Sequence, residues 1–192
     1  MVKNIGFGIT GSFCTHEKTL ESIKELVDKG YNVIPIITNS VKSTNTRFGD
    51  AEKFIENLEN LTGNKVVDNI VDAEPIGPKG LIDVMVVSPC TGNTLSKLAN
   101  GITDNAVTMV CKSHVRNNKP VVVGISSNDA LGLNAFNLAT LLNSKNYYFI
   151  PFGQDNPSGK PKSLIADWKQ TESTILKALN GEQIQPILIK GE

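Results

Sequence analysis

The sequence has no excess of charge of either sign and contains few cysteines and histidines. Lysine plus arginine and aspartate plus glutamate each number 19, so the formal net charge is zero. This balance gives no electrostatic reason to expect binding to nucleic acid or to an anionic membrane. The three cysteines, Cys14, Cys90 and Cys111, are too few and too scattered for a disulfide framework or a zinc site. With only two histidines, we expect neither a metal centre nor a Ser-His-Asp hydrolytic triad.

The sequence also lacks long hydrophobic runs. No apolar stretch approaches the roughly 20 residues that a transmembrane helix requires. The opening residues, MVKNIGFGITGS, indicate a strand and a turn and contain no signal-peptide core. We therefore expect a cytoplasmic protein. Its hydrophobic fraction of 40% is sufficient for the core of one domain over residues 1–192.

What the sequence does contain is a regular alternation between short β-rich runs and helical periods. Strands are predicted at residues 4–10, 31–38, 81–88, 119–126 and 146–152, and helices at 17–30, 50–63 and 132–144. Residues 64–80 are less clear and indicate a short strand and a loop. A last helix is predicted to begin near Ser163 and to end at Gly181. This pattern predicts an α/β fold: a doubly wound, mostly parallel, Rossmann-like sheet of five or six strands with helices on both faces.

The carboxyl ends of the strands are where such sheets bind ligands. Residues 6–11 match G-x-G-x-x-G between the first strand and the first helix, where backbone N–H groups can approach a phosphate. A dinucleotide enzyme would show an acidic residue about 20 positions further on, but the second strand ends in Thr38, Asn39 and Ser40. These neutral groups suit a phosphate or a flavin edge better than a ribose diol, which disfavours NAD as a ligand of this chain. The alternative is that the glycines only make a tight turn.

The loop after the strand at 81–88 is richer in polar groups. Its members are Pro89, Cys90, Thr91, Gly92, Asn93 and Thr94. Thr91 is predicted to be the N-cap of the next helix, which leaves Asn93 and Thr94 able to turn toward a ligand. Cys90 is either a thiol activated by a helix N-terminus or a small packed residue. The segment is accordingly either a ligand-binding surface or a well-capped buried turn.

Two segments carry a resemblance to a known family. Residues 88–108, SPCTGNTLSKLANGITDNAVT, resemble a segment of the flavoprotein family that includes phosphopantothenoylcysteine decarboxylases, lantibiotic cysteine decarboxylases and flavin prenyltransferases. Residues 9–12, ITGS, are similar to the first-strand turn of that family. The resemblance implies FMN bound between the subunits of a homo-oligomer, a trimer or an assembly of trimers. It also implies flavin or phosphate contacts from Gly11, Ser12, Thr38, Ser40, Pro89, Thr91, Asn93 and Thr94.

The sequence departs from this family at positions that carry its chemistry. Pro75 or Ile76 stands where the cysteine decarboxylases have a catalytic histidine, and their P-x-M-N motif is replaced by SSNDALGLNAFN. Residues 126–127 are both serine where the prenyltransferases have an Arg-Glu pair, although Lys160-Pro161 keeps their basic residue before a proline. The catalytic residues therefore stay unassigned, and both chemistries are disfavoured.

Within the family, the whole chain resembles one component of an oxidoreductase with two kinds of chain. That component works with a dinucleotide-binding partner to oxidise a dihydropyridine dicarboxylate, which implies NAD(P) on the partner rather than on this chain. Candidate groups for the substrate are the basic residues Lys42, Arg47, Lys160 and Lys162, together with Asn105. For each basic residue, the alternative is a solvated surface charge. Two other functions stay open: a stand-alone FMN-dependent decarboxylase or prenyltransferase, and a non-catalytic scaffold.

The two histidines are expected to have minor roles. His16 stands at the start of the first helix, where it either hydrogen-bonds a flavin or substrate or has a surface or capping role. His114 stands near a helix C-terminus, where a partial positive charge is favourable, and is predicted to be structural.

Overall fold

A seven-stranded sheet forms the centre of the computed structural model, which describes residues 3–189. Its strands are β1 (Asn4–Ile9), β2 (Asn32–Ile37), β3 (Val84–Cys90), β4 (Val121–Ser127), β5 (Tyr147–Phe149), β6 (Phe152–Gln154) and β7 (Leu164–Ala166). The order is β2-β1-β3-β4-β7-β6, and β5 also pairs with β4. All pairings among β1 to β5 are parallel, whereas β7 runs antiparallel to both β4 and β6.

Helices cover both faces of this sheet. They are α1 (His16–Asp28), α2 (Asn39–Ser43), α3 (Ala51–Thr62), α4 (Ile70–Ala73), α5 (Gly92–Ala99), α6 (Ala106–Arg116), α7 (Asn134–Leu142) and α8 (Thr171–Leu179). Side chains of α1, α3 and α8 pack in one hydrophobic cluster, and side chains of α4 to α7 pack in another. β3 contributes to both clusters because its residues are all buried and alternate between the two faces. The predicted doubly wound, mostly parallel α/β sheet is confirmed, with seven strands rather than five or six.

The predicted start of the last helix is wrong. Residues 164–166 form β7 instead, with Ile165 paired to Ser126 of β4, and α8 begins only at Thr171. Leu164 and Ala166 are buried while Ile165 between them is only half-buried, which is the alternation of a strand. Because Leu164 and Ile165 also fit the inward face of a helix, the apolar pattern did not distinguish the two structures.

The short strand predicted within residues 64–80 is also wrong. This segment makes a single isolated bridge, in which Val67 exchanges backbone hydrogen bonds with the outer edge of β2 at Pro35 and Ile37. The chain then continues into α4. No helix among residues 3–189 is long and apolar enough to cross a membrane.

The order of the strands creates a crevice at the carboxyl ends of the strands. The chain passes from β1 to β2 on one side and from β3 to β4 on the other. The loops that follow β1 and β3 therefore diverge at the carboxyl ends of these adjacent strands. This reversal point is where open α/β sheets bind ligands.

Candidate functional site

A cleft of about 660 Å³ opens at the carboxyl ends of the strands of the sheet. Its volume lies within the range of about 300–1,000 Å³ that is typical of small-molecule sites. The lining residues are 11–15, 18, 47–48, 91–92, 126–128, 155, 160 and 163–165. A second cavity, of about 390 Å³, lies between α1 and the segment around Trp168. We place the candidate site in the larger cleft because that cleft contains the ends of β1 and β3.

The hydroxyl of Thr10 joins the two loops that diverge at the cleft. Its Oγ1 donates to the carbonyl oxygen of Pro89 at 2.6 Å and accepts from the backbone N–H of Thr91 at 3.0 Å. Thr10 is almost completely buried, so both hydrogen bonds are shielded from water. Sequence reasoning missed this residue. The available signal was a hydroxyl side chain at the end of the first buried strand.

Thr91 is the N-cap of α5, as predicted. Its Oγ1 accepts from the backbone N–H of Thr94 at 3.3 Å and lies 3.2 Å from the hydroxyl of Thr94. Thr91 and Gly92 line the cleft, whereas Pro89, Asn93 and Thr94 are not among its lining residues. Thr94 is buried beneath the cap and Asn93 is exposed. Flavin contacts from these three residues stay predictions.

Gly92 is required by a polar network that reaches it from α7. A Cβ at this position would lie 2.6 Å from both Asn134 Nδ2 and Asp129 Oδ1. Asp129 accepts from the Ser127 hydroxyl at 2.6 Å and from Asn134 Nδ2 at 2.7 Å. The hydrogen bond from Ser127, followed by the one from Asn134, lowers the pKa of the Asp129 carboxyl, which is therefore ionised at neutral pH.

The predicted residues of the first two strand ends lie together beside the cleft. Gly11 and Ser12 line it, and the Ser12 hydroxyl lies 2.8 Å from that of Ser126 at the end of β4. A Cβ on Gly11 would lie 3.1 Å from the Ser40 hydroxyl, which is 3.0 Å from the hydroxyl of Thr38. A side chain at residue 11 would therefore crowd the Ser40 hydroxyl, which favours glycine at this position.

The substrate candidates separate into two groups. Arg47 and Lys160 line the cleft, whereas Lys42 and Lys162 are not among its lining residues. Lys42 forms an ion pair with Asp68 at 3.0 Å.

Asn105 has a structural task. Its side chain accepts from the backbone N–H of Thr108 at 3.1 Å, in a capping box that begins α6. The residue is 7% exposed and is not among the residues lining the cleft. Substrate binding by Asn105 stays a prediction.

The histidines and Cys90 are all buried. His16 stacks on Phe54 with ring centroids 4.4 Å apart, and its Nε2–H donates to the Thr10 carbonyl at 3.1 Å. The expected surface or capping role of His16 is therefore wrong, and burial lowers its pKa. Burial likewise lowers the pKa of His114 to about 4, so the partial positive charge expected there is absent at neutral pH. Burial raises the pKa of the Cys90 thiol, which favours the packed alternative over an activated nucleophile.

The groups at the cleft fit a phosphate-bearing flavin. Gly11 leaves room for close approach, Ser12 and Thr91 offer hydroxyls, and helical turns begin at residues 13 and 92 with their N–H groups at this edge. Three cations but only one carboxylate, Asp155, line the cleft, which favours an anionic ligand. Among residues 3–189, no cluster of three or more His, Cys, Asp or Glu side chains is placed to hold a metal ion.

Comparisons with known proteins agree with this geometry. The family model described as Flavoprotein matches residues 2–175. The chain is 54% identical over 188 residues to the B subunit of dipicolinate synthase from Bacillus subtilis, covering 98% of this chain and 94% of that protein. The crystal structure of the corresponding B subunit from Bacillus halodurans matches with a TM-score of 0.91 and 49% identity, covering 99% and 97% of the two chains. The FMN-dependent cysteine decarboxylase SpaF has the same fold at 19% identity, with a TM-score of 0.70 and coverage of 92% and 97%.

Proposed function

Because the chain belongs to the Flavoprotein family, we propose that it binds FMN in the cleft and acts as the B subunit of a dipicolinate synthase. In this role it works with a dinucleotide-binding partner, the A subunit of the same enzyme, to oxidise dihydrodipicolinate to dipicolinate. We place this reaction in the mother-cell cytoplasm of a spore-forming bacterium. The observation that carries the proposal is the near-full-length identity to the B. subtilis protein.

The phosphate of FMN would lie at the glycine turn after β1. Gly11 permits close approach there, Ser12 supplies a hydroxyl, and the turn at residues 13–15 supplies N–H groups at the start of α1. Thr91 and Gly92 border the same cleft from the end of β3. When bound, FMN supplies an acceptor for two electrons. The hydroxyls of Thr38 and Ser40 lie beside Gly11, and we propose that they too contact the flavin or its phosphate.

The reaction requires the protein to place a dianionic substrate. Conversion of a dihydropyridine to a pyridine removes two hydrogens, formally a hydride and a proton, and leaves both carboxylates unchanged. The hydride would go to an acceptor in the complex, either the flavin or the NAD(P) of the dinucleotide-binding partner, and the proton would go to solvent. This chain contributes cationic side chains for the carboxylates and a cleft that holds the ring. We further propose that the chain forms a homo-oligomer, a trimer or an assembly of trimers.

Two measurements test the proposal. The purified chain is titrated with FMN and followed by flavin absorbance, and we expect saturable binding. The chain is then combined with the dinucleotide-binding partner, and dipicolinate formation is compared with that of the partner alone. We expect a clear gain in rate, and an unchanged rate would overturn the proposed role.

The same measurements separate the alternatives. A gain in rate without flavin binding would make the chain a scaffold for the dinucleotide-binding partner. Decarboxylation of a cysteinyl substrate, or prenyl transfer, by the chain without that partner would make it a stand-alone FMN enzyme. None of the residues that line the cleft is a histidine, which counts against the cysteine decarboxylase alternative.

A further inference from the structure

The cleft is rich in positive charge although the chain as a whole is neutral. Lys18, Arg47 and Lys160 line it, against the single carboxylate of Asp155. The glycine turn already offers a seat for one phosphate. Arg47 and Lys160, which line the cleft outside that turn, therefore favour the binding of a second anionic ligand.

Arg47 is held at the tip of a tight hairpin between α2 and α3. Thr46 and Gly49 exchange backbone hydrogen bonds of 3.0 and 3.1 Å, so that Arg47 and Phe48 form the two-residue turn. Gly49 has φ of +144°, a conformation that favours glycine. The guanidinium lies over the Phe48 ring, 4.8 Å from its centroid. Backbone and ring together restrict where this cation can point.

Arg47 also has no carboxylate partner within the part of the chain that the structure describes, residues 3–189. Its charge is therefore available to a ligand. A guanidinium binds a carboxylate through two parallel N–H···O bonds, a geometry that an ammonium group lacks.

Lys160 reaches the same cleft from the loop between β6 and β7. Its backbone N–H donates to the Asn156 carbonyl at 2.7 Å, and its carbonyl accepts from the N–H of Ser163 at 3.0 Å, which fixes the loop. Its ammonium group pairs with Asp155 at 3.0 Å. Lys160 therefore contributes less net positive charge to the cleft than Arg47 does.

Arg47 and Lys160 come from segments next to the two outermost strands of the sheet. The Arg47 hairpin follows β2, the first strand in the order, and the Lys160 loop joins β6 and β7, the last two. Both nevertheless line the one cleft, Arg47 from the side of β2 and Lys160 from the side of β6 and β7. A planar ring with a carboxylate on either side of its nitrogen has the matching arrangement of charge.

We propose that Arg47 and Lys160 form a two-sided clamp that selects a cyclic dicarboxylate, with Arg47 as the main specificity-determining residue. This inference rests on the proposed function, because it names the residues that hold the substrate and product of that reaction. The clamp acts on binding rather than on the chemical step. Its loss should raise KM for the dicarboxylate far more than it lowers kcat.

The test is a calorimetric titration of the FMN-loaded chain in complex with its dinucleotide-binding partner. The probes are pyridine-2,6-dicarboxylate and pyridine-2-carboxylate, which differ by one carboxylate. We expect the wild-type complex to bind the dicarboxylate about tenfold or more tightly than the monocarboxylate. Arg47→Ala should weaken dicarboxylate binding by roughly 10- to 100-fold and monocarboxylate binding much less. Arg47→Lys should restore part of the loss. Lys160→Met should weaken dicarboxylate binding less than Arg47→Ala does, because an ammonium group does not form the two parallel hydrogen bonds of a guanidinium.

The matched control is Arg116→Ala, which removes the only other arginine of the sequence. Arg116 is exposed at the C-terminal end of α6, near the amino end of β4. It therefore lies at the opposite ends of the strands from the cleft. Its removal should leave binding of both probes unchanged. This comparison separates a clamp from a general loss of positive charge.

Failure of the clamp and failure of the proposed function give different results. Unchanged dicarboxylate affinity in Arg47→Ala, with FMN still bound, would overturn the clamp alone. Loss of FMN binding in that variant would assign the arginine to the flavin and would also overturn the clamp. If the wild-type complex binds neither probe, the clamp is wrong. Absence of both FMN binding and any gain in rate over the partner in the wild-type chain would overturn the proposed function itself.

Discussion

Ser88 lies in β3 with its hydroxyl buried and without a hydrogen-bond partner among residues 3–189. Gly124 on the neighbouring strand approaches it so closely that an added Cβ would lie 2.3 Å from the Ser88 hydroxyl oxygen. An unpartnered buried hydroxyl costs about 1–3 kcal/mol. We therefore expect Ser88→Ala to leave the free energy of unfolding unchanged or to raise it, as measured by urea denaturation.

Thr10→Val provides the comparison, because it also removes a buried hydroxyl. The Thr10 hydroxyl makes two hydrogen bonds between the loops of the cleft, so its loss should lower the free energy of unfolding by about 1–3 kcal/mol. A Ser88→Ala variant that is destabilised as much as Thr10→Val would contradict the prediction, since the Ser88 hydroxyl would then have a partner.

His114 makes the stability of the fold depend on pH. Burial, with a smaller contribution from the charge of Lys119, lowers its pKa to about 4 from an ordinary value of 6.5. Below pH 6.5 the His114 imidazole is therefore protonated in the unfolded chain, whereas in the folded chain it stays neutral down to about pH 4. The stabilising contribution is complete above pH 6.5 and is lost progressively as the pH falls toward 4, with about 2 kcal/mol lost between pH 7 and pH 5.

The measurement is urea denaturation of the wild-type chain and of His114→Leu at pH 7 and pH 5. The variant should show a smaller decrease in the free energy of unfolding, although His16, whose pKa burial also lowers, leaves some dependence in the same direction. Equal decreases in the two proteins would show that the imidazole of His114 is solvated or protonated in the folded state.

At Gly92, in the first turn of α5, helix propensity and the space available for a side chain favour different residues. Alanine favours a helix interior over glycine by about 1 kcal/mol, but its Cβ would displace the network of Asp129 and Asn134. We expect Gly92→Ala to change the melting temperature little and to weaken FMN binding by about tenfold, as measured by a flavin titration. Ser96→Ala, on the same helix but not among the residues lining the cleft, should bind FMN as the wild-type chain does. Wild-type affinity in Gly92→Ala would show that the network does not support the site.

The elements that sequence reasoning predicted well are those with an unambiguous local signal. Thr91 caps α5 because a threonine directly before a helical period has a hydroxyl able to accept from the N–H three residues on. The segment at 164–166 lacked such a signal, since three apolar residues fit either a strand or a helix. Its pairing with Ser126 and Ser127 is a long-range contact that local pattern does not contain.

The sequence indicated where in the fold to look for a site, but not which residues would line it. Strand ends rich in serine, threonine and glycine indicated a site at the carboxyl ends of the strands, and Gly11, Ser12 and Thr91 line the cleft there. Which of the four candidate cations face it depends on loop conformation. Arg47 does so because of the hairpin closed by Thr46 and Gly49, a structure that the sequence does not reveal.

Under the proposed function, FMN should stabilise the molecule as a whole. A ligand that binds only the folded state, at a free concentration 100 times its Kd, adds about 2.7 kcal/mol. For a chain of 192 residues this corresponds to a rise in melting temperature of roughly 5–10 °C. We expect such a rise with FMN in a thermal-shift assay and a much smaller one with riboflavin, which lacks the phosphate. Equal shifts would contradict a phosphate seat at the glycine turn.

The lining of the cleft begins at Gly11 and ends at Ile165, and it draws on the segments that follow β1, β2, β3 and β4 and on residues between 155 and 165. During synthesis on the ribosome, β1 and β3 emerge long before the residues that close the far wall. A growing chain therefore has no complete cleft until β7 has left the exit tunnel. Under the proposed function, we therefore expect FMN to bind the complete cleft only after synthesis of β7.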